Sequence, residues 1–294
     1  MTNIFIVGCG YVGLRIARLA LASGQHVTAL TRSTTSRSRL QAAGIVGVIG
    51  DLDQIDSLPN LPSQNTVLYY FAPPPSLGVT DSRLAALLMA LKPQQLPMKW
   101  VLISTTGVYG DCDGAWIDEN RPINPQTDRA RRRVHAETTL QQFCDTHRIP
   151  ITILRVPGIY GPGRLPIARL QNKWPVLEET ISPFSNRIHA DDLARACLTA
   201  GETNKEGVYN ISDGHPTTMT DYFNQVADIL GLPRPPQIDW TAAQTQLSAE
   251  MRSYLAESKR LDNRKMREKL GVSPNYPDLA SGLAQCVECM HDEP

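Results

Sequence analysis

Three stretches of this 294-residue sequence carry residue types at spacings that suit chemistry. The first is Gly8-Cys9-Gly10-Tyr11-Val12-Gly13, a G-x-G-x-x-G turn. It follows an apolar run at residues 4–7 and opens a helical pattern. Glycines at these places allow a tight turn, a close backbone approach to a diphosphate and close helix–strand packing, and the helix N-terminus favours the anion. All six residues are therefore candidates for holding a dinucleotide, against the plainer reading of a strand–turn–helix. Second, Thr31-Arg32-Ser33 follows the next apolar run, and no acid occurs from residue 27 to residue 41. An NAD site usually places Asp or Glu about 20 residues beyond the turn, whereas a guanidinium beside hydroxyls suits a 2′-phosphate. NADP is thus favoured over NAD, the alternative being a solvated loop over residues 31–39. Asp51 either faces the adenine side or is an ordinary loop acid. Third, Thr127-Asp128-Arg129-Ala130-Arg131-Arg132-Arg133-Val134-His135-Ala136-Glu137 concentrates four arginines on one helical pattern. Arg129 and Arg133 lie four apart and share a face, and Glu137 continues it and can pair with Arg133. Site-facing, solvated and nucleic-acid-binding roles are all open for that cluster.

The elements that must position these residues alternate in type. Short apolar runs at 4–7, 27–30, 46–49, 67–71, 100–103 and 151–154 predict strands, mostly continuous rather than alternating, as strands buried on both faces are. Helical patterns at 10–23, 80–91 and 127–147 lie between them. Helices are further expected at 191–200, 220–230, 266–270 and 279–291, and a strand at 208–211, with the Pro-rich 232–236 as a linker. Alternation of this kind predicts a parallel α/β sheet with a smaller C-terminal cap. The expected division is 1–154 and 187–212 for the dinucleotide domain, and 155–186 and 213–294 for the cap.

Composition narrows the function classes. Lys plus Arg and Asp plus Glu are 29 each, so the net charge is zero and the broad positive footprint of a nucleic-acid binder is missing. No apolar run reaches the ~18–20 residues of a membrane helix, and residues 1–7 do not read as a signal peptide. A cytoplasmic protein is expected, with a small-molecule substrate and neither nucleic acid nor membrane as partner. The six cysteines are scattered, so free thiols are expected; Cys286-x-x-Cys289 lacks a second pair for a zinc site, and no metal is expected.

Several of these segments together resemble the extended short-chain dehydrogenase/reductases, the group that includes NAD-dependent epimerases and dehydratases. The similar stretches are residues 7–13, Ser104-Thr105-Thr106-Gly107-Val108-Tyr109-Gly110, Arg155-Val156-Pro157-Gly158-Ile159-Tyr160-Gly161-Pro162-Gly163-Arg164, Arg187-Ile188-His189-Ala190-Asp191-Asp192-Leu193-Ala194 and Val208-Tyr209-Asn210-Ile211-Ser212. They occur in the family's order across most of the chain. The resemblance implies an α/β fold of Rossmann type, a doubly wound parallel sheet with a smaller C-terminal substrate-binding cap, and cofactor across the carboxyl edge of the sheet, with Phe71, Ala72 and Pro73 on the nicotinamide side. It also implies that Thr105 hydrogen-bonds the substrate oxygen; the plainer role for Thr105 is a strand-end hydroxyl satisfying local backbone.

The sequence departs from the family at the catalytic pair. Tyr-x-x-x-Lys falls on Arg129 and Arg133, with no Lys between Lys99 and Lys173 and no Tyr between Tyr109 and Tyr160. Arginine does not give up its proton at ordinary pH, so Arg129 can only stabilise charge, while Arg133 can replace the Lys as a ribose donor. Tyr109 is the nearest tyrosine; flanking arginines would lower its pKa, although a packing role suits it as well. On the substrate side Gly158 stands where nucleotide-sugar members carry Asn. Arg187 resembles a family arginine that binds a substrate phosphate or carboxylate, or else it pairs with Asp191 or Asp192. The expected function is an NADP(H)-binding, epimerase-like oxidoreductase acting on a small carbonyl or hydroxyl metabolite by hydride transfer, as a monomer or homodimer. The alternative is a non-catalytic NAD(P)-binding sensor or assembly protein.

Overall fold

The computed structural model describes residues 3–291. Seven strands, β1 (Asn3–Val7), β2 (His26–Thr31), β3 (Val46–Ile49), β4 (Thr66–Tyr70), β5 (Lys99–Thr105), β6 (Ile151–Val156) and β7 (Gly207–Asn210), form one sheet in the order β3-β2-β1-β4-β5-β6-β7. Every neighbouring pair is parallel. From β1 the chain winds outward to β3, then returns to place β4 on β1's other side. The connections after β1 and β4 therefore leave in opposite directions, and a crevice opens at the carboxyl ends of those strands.

Both faces of the sheet are covered, which explains the unbroken apolar runs. On one face Ile4, Ile6, Val67, Tyr69 and Leu154 pack with α1 (Tyr11–Ala22) and α5 (Ala190–Glu202). On the other face Phe5, Leu68, Trp100, Leu102 and Ile153 pack with Leu84 and Leu87 of α3 (Ser82–Ala90) and Leu140 of α4 (Asp128–His147). Capping side chains start these helices: Asp81 accepts from Leu84 N at 3.0 Å and Thr127 from Ala130 N at 3.3 Å. Residues 34–42, where the sequence patterns predict no helix, are helix α2 (Thr34–Ala42), with Ser33 capping it by accepting from Ser36 N at 3.2 Å, so the alternative of a solvated loop over residues 31–39 is corrected from residue 34 on. Leu40 is the helix's one buried residue, so the apolar periodicity that reveals other helices is missing.

The C-terminal part has its own apolar core of Tyr160, Leu170, Val176, Tyr222, Phe223 and Leu283, joining α6 (Met219–Ile229) to α7 (Leu279–His291). Between these helices the chain returns to the carboxyl side of the sheet. Residues Arg260–Leu261 pair with Trp116–Ile117, and Ser258 O accepts from Cys112 N at 3.1 Å and Gly114 N at 3.0 Å. Residues 249–261 thus form a strap against the connection between β5 and α4. The cysteines are free, and among the described residues no His/Cys/Asp/Glu group is arranged to hold a metal. No helix among them is long and apolar enough to cross a membrane.

Candidate active site

The turn between β1 and α1 assigns each glycine a separate job. Gly8 has φ +101°, and a Cβ there would lie 2.4 Å from Ala72 N, so β1 and the chain leaving β4 meet backbone to backbone. That meeting is hydrogen-bonded, since Val7 O accepts from Phe71 N at 2.7 Å and Ala72 N at 3.0 Å. A Cβ on Gly13 would come within 2.8 Å of Gly8 O, so bare backbone lets α1 pack on β1. Gly10 differs: a Cβ there would have no neighbour within 4 Å. No side chain caps α1 among the described residues, and its first turn holds no acid. Unclaimed amides with a helix dipole behind them suit a diphosphate. Val12 is buried in the core, and the Tyr11 hydroxyl donates to Pro162 O at 2.9 Å, so these two side chains brace the turn. Burial pushes the Cys9 thiol up to about 12, which makes it a protonated filler.

Around the β2 end, Thr31 is buried while Arg32 and Ser33 are exposed. Ser33 donates to Ser36 Oγ at 3.0 Å as well as capping α2, while Arg32 makes no hydrogen bond among the described residues and adds to Arg83's lowering of the Asp53 carboxyl. Asp51 accepts from Asp53 N at 3.0 Å in a local turn. Asp53 in turn receives Arg83 through two bonds of 2.8 and 2.7 Å, and Arg83 donates to Pro73 O at 2.9 Å, tying the loop after β4 to the loop after β3.

At the end of β5 the half-buried Thr105 Oγ1 accepts from Gly107 N at 3.2 Å, starting a short 3-10 turn over Thr106–Tyr109. The local-backbone role foreseen for Thr105 is therefore present, and its own hydroxyl proton remains available. Beneath it, Ser104 donates to Glu137, which is gripped by Arg155 through bonds of 3.2 and 2.7 Å. This corrects the expected Glu137–Arg133 pair: β5 and β6 present Ser104 and Arg155 directly under α4, and Arg155 and Glu137 are each 8% exposed at the side chain.

The two key arginines diverge despite their shared helix face. Arg133 reaches toward β4, donating to Ala72 O at 3.4 Å, and burial pulls its pKa down while Asp81 and Tyr70 oppose that. Arg129 turns to the strap instead, donating to Ser253 Oγ at 2.6 Å and lying 3.7 Å over the Tyr254 ring. Tyr109 also departs from its proposed use. It is buried, its hydroxyl donates to Asn210 Oδ1 at 2.8 Å, and burial raises its pKa against the opposing pull of Arg155. The expected lowering of that phenol is corrected by its desolvation.

Gly158 and Arg187 come together on the parallel pair of strands Gly158–Tyr160 and Arg187–His189. A Cβ on Gly158 would lie 2.6 Å from Arg187 Nη1, so the guanidinium occupies the room a side chain at 158 would fill. The alternative ion pairs for Arg187 are not formed, because Asp191 binds Arg15 at 2.8 Å and Asp192 binds Arg195 at 2.9 Å. Sequence reasoning missed the buried Asp213 beside Arg187, since Ser212-Asp213-Gly214 reads as an ordinary turn. It also missed Ser253 and Tyr254, for which no local signal exists.

Comparison with known proteins agrees with this architecture. A family model described as the NAD dependent epimerase/dehydratase family matches residues 4–212. Protein YeeZ of Escherichia coli K12 is 27% identical over 291 residues, covering 95% of this chain and 97% of that one. A functionally unknown conserved protein from Silicibacter pomeroyi superposes with a TM-score of 0.82 at 30% identity, covering 98% of this chain and 99% of that one. MoeE5, solved in complex with UDP-glucose and NAD, superposes with a TM-score of 0.74 at 21% identity over 99% of each chain, a likeness of fold alone.

Proposed function

The chain belongs to the NAD dependent epimerase/dehydratase family, and from that membership we propose that it binds a nicotinamide dinucleotide, NADP(H) in preference to NAD(H), and acts on a small carbonyl or hydroxyl metabolite by hydride transfer. The carrying observation is the β1–α1 turn, where Gly10 opens onto free space at an uncapped helix start. The turn residues 8–13 hold the diphosphate, Arg32 beside Thr31 and Ser33 takes the 2′-phosphate, and Asp51 borders the adenine side. Phe71, Ala72 and Pro73 line the nicotinamide side, and Arg133 serves the ribose. When bound, the nicotinamide supplies the site that accepts or gives the hydride. Thr105 orients the substrate oxygen with its free hydroxyl proton. Gly158 and Arg187 border the substrate, under a cap made of 155–186 and 213–294. The NAD named with MoeE5 belongs to that protein; here Arg32, in a stretch from residue 27 to residue 41 that holds no acid, supports the phosphorylated form.

A second reading, a non-catalytic NAD(P)-binding sensor or assembly protein, is favoured by one observation: Arg129, at the family's tyrosine place, is held by Ser253 and Tyr254, and Tyr109 is committed to Asn210. Calorimetric titration of wild type and Arg32→Ala with NADPH and NADH tests the first reading. Tighter NADPH binding that Arg32→Ala erases is expected; equal affinities for both nucleotides overturn the preference, and no heat with either overturns the reading. Any NADPH-dependent turnover that survives Thr105→Ala unchanged removes Thr105 from the chemistry.

A further inference from the structure

One side of α1 takes no part in packing on the sheet. Val12, Ile16, Ala17 and Ala20 are its buried residues, whereas Tyr11, Arg15, Arg18 and Leu19 line an open groove of about 780 Å³ shared with α5 and α7. The whole chain balances 29 basic against 29 acidic side chains, yet four guanidinia gather at this groove against two carboxylates. Arg15 binds Asp191 at 2.8 Å and Arg195 binds Asp192 at 2.9 Å. Arg18 and Arg164 are exposed, and neither guanidinium has an ion-paired or hydrogen-bonded partner among the described residues. Arg164 follows the groove-lining Gly163 and lies 4.9 Å over the Tyr11 ring, which Arg15 covers at 3.9 Å. Two positive charges are thus left over around one hollow. Thr105, Arg133 and Gly10 are not among the residues lining it, so this groove is separate from the crevice at the carboxyl ends of the strands.

We propose that this groove binds a small organic phosphate monoester, at a second site that takes neither the cofactor nor the molecule undergoing hydride transfer. Such a monoester carries a charge of about −1.5 to −2 near neutral pH, which matches the two guanidinia left over. A carboxylate, with one charge, would leave a guanidinium unmatched. Guanidinium forks also fit phosphate oxygens in pairs, giving direction as well as attraction. Arg15 is already fixed, since it donates to Tyr11 O at 3.0 Å as well as to Asp191, and Arg195 donates to Ser273 O at 3.3 Å besides its carboxylate. Ordering these two on binding therefore costs little, and Arg18 and Arg164 are the pair that closes on the ligand. The groove's size indicates an organic body behind the phosphate. Its volume falls within the roughly 300–1,000 Å³ of organic ligand sites, and Leu19, Ala194 and the Tyr276 ring offer that body apolar contact. A merely solvated arginine face would need no such hollow. The inference stands independently of the cofactor reading.

The test uses the full chain in calorimetric titrations at low ionic strength, where an open charged groove is least screened. The probes are ribose 5-phosphate, uridine 5′-monophosphate and inorganic phosphate, and the proteins are wild type, Arg18→Ala, Arg18→Glu and Arg32→Ala. Expected is millimolar or tighter binding of at least one organic probe to wild type, exceeding that of inorganic phosphate. Losing one charge-assisted contact weakens it about tenfold in Arg18→Ala, and reversing the charge weakens it further in Arg18→Glu. Arg32→Ala, at the β2 corner, leaves it unchanged. Tighter ribose 5-phosphate identifies a sugar phosphate as the occupant, and tighter uridine monophosphate a nucleotide. The site is overturned if neither organic probe binds wild type more tightly than inorganic phosphate does, or if both Arg18 variants bind as wild type does. It is also overturned if Arg32→Ala abolishes binding and Arg18→Glu does not, since the probe then sits at the cofactor corner. Parallel NADPH titrations keep the two readings apart. Arg18→Glu is expected to bind NADPH as wild type does, and probe binding without any NADPH binding defeats the cofactor reading while this site stands.

Discussion

Replacing Gly10 by alanine adds one methyl where nothing lies within 4 Å, on a residue whose φ is −94°. With neither a clash nor a left-handed backbone to penalise it, the free protein loses less than about 1 kcal/mol. The neighbouring glycines behave differently. Gly8→Ala places a methyl 2.4 Å from Ala72 N at φ +101°, combining about 1–2 kcal/mol of conformational strain with about 1–3 kcal/mol of overpacking. Gly13→Ala meets Gly8 O at 2.8 Å and costs about 1–3 kcal/mol by the second effect alone. In the complex the order reverses, because the Gly10 methyl stands between the α1 amides and the diphosphate. Losing one charge-assisted hydrogen bond of about 1.5–3 kcal/mol weakens NADPH about 10- to 100-fold. Urea unfolding measures the first set of changes and calorimetry the second. Gly10→Ala that is as stable as wild type yet binds NADPH undiminished refutes the placement of the diphosphate at this turn. Gly8→Ala at wild-type stability refutes the packing account.

Two further outcomes follow from buried charge. Arg155→Met leaves Glu137 with Ser104 as its remaining partner, and the cost is about 3–5 kcal/mol in urea unfolding; a loss under about 1 kcal/mol would show that the pair is not the anchor under β5 and β6. Asp213 has an ordinary pKa of 3.8 when unfolded and about 7 when folded, so its proton stabilises the folded state fully below about pH 4, and that contribution is lost as pH rises to 7. Asp213→Asn removes the titration, so the variant gains on wild type in thermal unfolding between pH 5 and pH 8, and a constant difference across that range contradicts the assignment.

The sheet was legible in the sequence because strands covered on both faces leave continuous apolar runs, as in residues 4–7 and 100–103. Helix α2 was not, because it buries a single leucine and its cap, Ser33, looks like any loop serine. At the glycine turn, spacing together with the flanking strand and helix patterns marked Gly8 and Gly13, where a Cβ would come within 3 Å of backbone. The arginine helix was legible only in part. Four-residue spacing places Arg129 and Arg133 on one face, but Ser253, 124 residues away, and Ala72 pull their long side chains apart. Gly158 looked like a lost amide, and only three-dimensional contact shows that its bareness makes room for Arg187.

The late arrival of β7 bears on how this chain is made. Strand β6 is buried along its whole length, and its outer edge is covered by a partner that begins 51 residues after β6 ends. At translation speeds of about 5–20 residues per second, that interval lasts roughly 3–10 seconds. During it, an apolar strand with unpaired amides and carbonyls faces whatever surrounds the ribosome, the setting in which edge strands recruit one another. Slow codons between residues 157 and 206 lengthen the exposure, and a chaperone that shields this edge raises soluble yield without touching the finished fold.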